Sequence, residues 1–76
     1  MKIKGNQLGN TIREHRFASN RMTQEELAMQ VGVSRQTIVS IEKGIYNPSV
    51  VLALKLSSVF KVPVEELFIL KMGNNR

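Results

Sequence analysis

Arg35, Gln36, Val39, Ser40 and Lys43 fall at helical spacing on one side of a short segment whose other side carries Ile38 and Ile41. A guanidinium can donate two parallel hydrogen bonds to guanine O6 and N7, a glutamine amide matches adenine N6 and N7, and a valine can touch a thymine methyl. A serine hydroxyl or a lysine ammonium can reach a base edge or a phosphate. Each side chain also has a plainer role: Arg35 as a phosphate contact or solvated charge, Ser40 bonding back to its own helix, Val39 as a lone surface valine. Elsewhere no nucleophile and base, and no paired acids, can be assigned, so the chain is not expected to be an enzyme. His15 is the only histidine and there is no Cys or Asp, so neither a metal nor a cofactor is expected.

A reading face of this kind needs a helix held at a fixed angle to a second one. Thr23 followed three residues later by Glu26 predicts a capping box, and Met22 with Leu27 has the spacing of a hydrophobic staple. Leu27, Ala28 and Val31 then form one apolar face, and Gly32 supplies a left-handed stop. Ser34 is positioned to cap the next helix, with Val33 and Ile38 at staple spacing, and Gly44 closes it before the turn at Asn47-Pro48. Two short helices joined by a tight glycine turn have the sequence shape of a helix-turn-helix, over about residues 23–44.

Around this pair the periodicity predicts three further helices. Leu8, Ile12, His15 and Phe17 predict one from about Gln7 to Ala18, preceded by a flexible lead-in at Gly5 to Gly9 and stopped by a left-handed Asn20. Leu52, Leu56, Val59 and Phe60 follow the i, i+4, i+7, i+8 pattern behind a Ser49 cap. Val51, Ala53 and Leu54 make that helix apolar nearly all round, as at the centre of a domain or at a subunit contact. Pro63, with Glu65 and Glu66 behind it, opens a short last helix. Beyond it Phe68, Leu70 and Met72 alternate with Ile69 and Lys71, as Ile3 does with Lys2 and Lys4. The expectation is an all-α, five-helix body with a small antiparallel ribbon pairing the N- and C-terminal strands.

Seventy-six residues make a single domain, 1–76, with a limited core that dimerisation would help to stabilise. Eleven Lys and Arg against six Glu give a formal charge of +5, which favours a polyanion as partner. Zero cysteines point away from a disulfide-stapled secreted scaffold. Neither a signal-peptide run at Met1 to Gly5 nor a membrane-spanning stretch of about 18 apolar residues is present. A soluble, cytoplasmic protein with no membrane contact is expected.

Thr23-Gln-Glu-Glu-Leu-Ala, Val31-Gly-Val-Ser-Arg-Gln-Thr-Ile, Ile41-Glu-Lys-Gly, Tyr46-Asn-Pro-Ser and Pro63-Val-Glu-Glu-Leu-Phe occur in order along nearly the whole chain. In these blocks it resembles the lambda-repressor and Cro-like helix-turn-helix regulators, the XRE family, and its short members without a separate ligand domain. The resemblance implies a lambda-repressor-like DNA-binding domain. It implies base reading by Arg35, Gln36 and Ser40 with Val39 beside them, and phosphate contacts from Gln24, Ser34, Thr37, Lys43, Tyr46 and Asn47. Gln24 would also brace Gln36. The family's ion pair between the first helix and the end of the recognition helix maps onto Arg16 and Glu42. The chain departs from the common pattern between Arg16 and Thr23, where the connection is one residue longer and Asn20-Arg21-Met22 replaces the commoner Arg/Lys-Gly-Leu.

The leading expectation is a transcription regulator, a repressor in the family's commonest mode, that binds a palindromic double-stranded DNA operator as a homodimer. The helix from Ser34 to Lys43 would enter the major groove. The dimer surface is expected in the segment of about residues 63–72, from Leu67, Phe68, Ile69 and Leu70. The competing reading is an antitoxin-like or accessory module that uses the same fold to bind a protein. Arg35, Gln36 and Lys43 together on one face argue for DNA, since a pure protein-binding module does not need them. Any signal would have to arrive through a protein partner or through the dimer equilibrium.

Overall fold

The computed structural model describes residues 7–71, in the order β1 (Gln7–Asn10), α1 (Ile12–Ala18), α2 (Gln24–Val31), α3 (Arg35–Glu42), α4 (Val50–Phe60), α5 (Val64–Leu67) and β2 (Phe68–Lys71). Five helices are closed by a two-stranded antiparallel sheet, in which Leu8 faces Leu70 and Asn10 faces Phe68. The ribbon therefore forms, but its first strand is Gln7–Asn10. The alternation noted around Ile3, and the outer end of the second strand at Met72, lie outside the described residues.

Two expectations for this end of the chain are corrected. The first helix begins at Ile12 rather than near Gln7, and Gly9 sits within a strand rather than in a flexible lead-in. The boundary is set by Asn10 and Thr11. The Asn10 carboxamide oxygen accepts from the Ile12 N–H at 3.2 Å, and the Thr11 N–H donates to the Leu67 carbonyl at 2.9 Å. The Thr11 hydroxyl donates to the Glu66 carbonyl at 3.0 Å, so the start of α1 is fastened to α5.

The core draws on every helix: Ile12, Leu27, Ala28, Val31, Ile38, Ile41, Leu52, Leu56 and Leu67, with Phe68 from β2. Burying each large aliphatic side chain contributes about 1.5–3 kcal/mol. On α4 the predicted face holds, with Leu52 and Leu56 buried and Val59 and Phe60 half-buried. The helix is not central, however. Val50, Val51 and Leu54 on its other side are 75%, 64% and 53% exposed. Among the described residues no helix is long and apolar enough to cross a membrane.

Candidate nucleic-acid interface

The angle between α2 and α3 is set by local devices that the sequence encodes at each end. Thr23 and Glu26 close the capping box, with the Thr23 hydroxyl accepting from the Glu26 N–H at 3.0 Å and the Glu26 carboxylate from the Thr23 N–H at 2.8 Å. Gly32 then turns the chain at φ 76°, a left-handed conformation in which a Cβ is disfavoured. The Ser34 hydroxyl accepts from the Thr37 N–H at 3.2 Å and starts α3.

With α3 so placed, Ile38 and Ile41 are buried and the opposite side faces outward. Arg35, Gln36 and Lys43 are exposed, while Val39 and Ser40 are half-buried beside them. Tyr46 and Asn47 are exposed on the turn that follows. Ser34 is exposed and Thr37 half-buried; their hydroxyl oxygens lie 3.0 Å apart, so both are engaged at the cap.

Behind this face lies a buried polar cluster. The Arg16 Nε donates to Glu42 Oε2 at 2.6 Å and its Nη2 to Glu42 Oε1 at 3.1 Å. A third Arg16 nitrogen donates to the Met22 carbonyl at 2.8 Å. The Gln24 amide nitrogen donates to Glu42 Oε1 at 3.1 Å. Gln24 is thus braced by Glu42. A carboxylate only accepts, so it turns the nitrogen end of the Gln24 amide inward and leaves its second N–H for another acceptor. Asn10 adds a tie from β1, donating to the Ile41 carbonyl at 3.0 Å.

An open groove runs from this cluster to the outer face of α3. Gln24, Arg35, Val39 and Lys43 line it together with Arg13 and Phe17 of α1 and Arg21 of the corner that follows. Gln36, Ser40, Tyr46 and Asn47 lie outside the groove. Arg13 and Arg21 are not among the contacts expected from sequence; the i, i+4 spacing of Arg13 and Phe17 is the signal that these two share a face. Among the described residues, no group of three or more His, Cys, Asp or Glu could hold a metal ion.

One expected surface is corrected. Leu67 is fully buried and Phe68 is 9% exposed, because α5 is a single turn that rotates both into the core. Neither is available to a partner, whereas Ile69 and Leu70 are 45% and 61% exposed.

Comparison with known proteins agrees with this arrangement. A sequence model described as helix-turn-helix matches residues 12–67. An uncharacterised HTH-type transcriptional regulator from Archaeoglobus fulgidus is 60% identical over 58 residues, covering 76% of this chain and 81% of that protein. Another from Methanocaldococcus jannaschii is 50% identical over 60 residues, covering 79% and 89%. The crystal structure of the restriction-modification controller protein C.AhdI from Aeromonas hydrophila superposes with a TM-score of 0.67 and 37% identity, covering 75% of this chain and 81% of that one.

Proposed function

Because this chain belongs to the XRE-type helix-turn-helix family and is a DNA-binding transcriptional regulator, we propose that it binds a palindromic operator as a homodimer and acts as a repressor. The recognition helix, Ser34 to Lys43, lies in the major groove. The observation that carries this reading is the outer face of α3, where Arg35 and Gln36 are exposed at the N-terminal end and Lys43 at the C-terminal end, directly behind a helix pair locked by two side-chain caps. In this docking geometry the N-terminal residues of the recognition helix meet base edges. Arg35 and Gln36 read bases with Val39 and Ser40 beside them, and Gln24, Ser34, Thr37, Lys43, Tyr46 and Asn47 hold phosphates.

A dimer is supported by the apolar surface the monomer leaves open. Val50, Val51 and Leu54 on α4, and Ile69 and Leu70 on β2, are large and exposed, and a second copy is the occupant that would also double the reading face. Two recognition helices about 34–36 Å apart would meet one face of B-DNA, with half-sites one turn apart. The C.AhdI likeness supports a controller role, and repression by obstructing polymerase follows from occupation of a promoter site.

Sedimentation of the protein with duplex DNA drawn from a bound pool tests the reading. Two protomers per duplex are expected. One protomer per duplex, or no complex, would remove the dimeric operator model.

A further inference from the structure

The corner between α1 and α2 carries two successive residues in the left-handed region, Asn20 at φ 60° and Arg21 at φ 56°. Asparagine tolerates that conformation; for arginine it is sterically disfavoured, and glycine would adopt it freely. The corner itself is made by the backbone, with the Arg21 N–H on the Phe17 carbonyl at 3.1 Å and the Met22 N–H on the Arg16 carbonyl at 2.9 Å. The Arg21 side chain is exposed, and among the described residues it has no salt bridge and no hydrogen bond. It therefore does nothing for the turn that glycine would not do better. What it adds is a cation on the groove beside Gln24, Arg35 and Lys43.

Arg13 reaches the same groove from α1. Its guanidinium lies 5.4 Å from the centroid of the Phe17 ring, and the Arg16 guanidinium lies 5.6 Å from that same ring. Arg16 is held by Glu42, whereas Arg13 has no salt bridge among the described residues, so the ring lies beside one fixed cation and one that is not tied. Phe17 is 55% exposed and adds little to the core. It acts as a platform that limits the conformations of Arg13. Leaving aside the Arg16–Glu42 pair, the described residues put four cations on the groove, Arg13, Arg21, Arg35 and Lys43, against the carboxylates of Glu14 and Glu25.

We propose that Arg13 and Arg21 form a second grip on the DNA backbone, at the edge of the major groove that α3 reads. The proposal rests on the DNA-binding reading of α3 and extends the contact surface to the α1–α2 corner. A guanidinium offers planar, paired donors to phosphodiester oxygens and stays charged at any working pH. These contacts carry no sequence information; they fix register and add affinity on every duplex.

The test is duplex binding by Arg21→Gly, Arg21→Lys and Arg13→Gln, measured by fluorescence anisotropy across a salt series on an enriched duplex and on a scrambled one. Arg21→Gly should melt no lower than the parent. It should bind both duplexes more weakly by the same factor, with the slope of log K against log salt shallower by about 0.9, one phosphate contact. Arg21→Lys should restore the slope, and Arg13→Gln should lower it. An Arg21→Gly variant with the parent's affinity and slope would overturn the proposal while leaving the α3 reading intact. A parent that retains no duplex at any salt, yet captures an acidic polypeptide such as polyglutamate through this groove, would overturn both.

Discussion

Arg16 and Glu42 join the first helix to the last turn of the recognition helix through two hydrogen bonds, with side chains only 8% and 10% exposed. The pair does not touch the outer face of α3, yet it fixes where that face points. Two charges taken out of water make a poor source of net stability, but removing one of them strands the other. The consequence is geometric: at its C-terminal end the recognition helix is anchored, through Glu42, to Arg16 of α1 and Gln24 of α2, and at its N-terminal end it is joined to α2 by the capped turn.

Truncating Arg16 to alanine should therefore destabilise the domain by about 3–5 kcal/mol, because Glu42 would keep only Gln24 as a partner. A chain of this size has of order 4–11 kcal/mol in total. Urea denaturation should show the variant close to unfolding, and the double change Arg16→Met with Glu42→Leu should recover most of the loss. A single variant as stable as the parent would mean that the pair is solvated.

Gly32 has φ 76° and open space where a Cβ would be built, so its replacement isolates backbone strain from steric clash. Gly32→Ala should cost about 1–2 kcal/mol, read as a lower melting temperature. Thr23→Ala, which removes one half of the capping box, should cost about 1 kcal/mol.

How far these features could be read from sequence depends on whether their causes are local. Thr23, Glu26, Gly32, Ser34 and Ser49 act on backbone groups within a turn of themselves, and each takes the role its type and spacing implied. The strand at Gln7–Asn10 was hidden because Leu8 and Ile12 are also spaced as a helix, and only pairing with a segment sixty residues away decides the matter. Leu67 and Phe68 looked like part of an exposed apolar run, but the one-turn helix α5 points them inward. The groove at Arg13, Phe17 and Arg21 depends on the handedness of the α1–α2 corner, which arginine does not signal.

Specificity should separate from affinity on α3. Gln36→Ala or Arg35→Ala should flatten preference at one or two base positions, at about 1–3 kcal/mol each, with the melting temperature unchanged. Lys43→Ala should weaken all duplexes alike and reduce the salt slope by about one. Competition binding against single-base variants of the enriched duplex distinguishes them; equal loss on specific and scrambled DNA for Gln36→Ala would remove its base-reading role.

On α4, Val51 and Leu54 are 64% and 53% exposed, so charge placed there should leave the fold untouched. Val51→Glu with Leu54→Lys should sediment as a monomer and lose tenfold or more in affinity for a palindrome, while a single half-site binds as before. An unaltered dimer would move the subunit contact to Ile69 and Leu70.

Selection of bound duplexes from a random pool at two salt concentrations asks whether α3 reads a symmetric DNA sequence. An enriched palindrome with half-sites one helical turn apart, retained at the higher salt, is expected. Retention that is sequence-blind and vanishes as salt rises would contradict it.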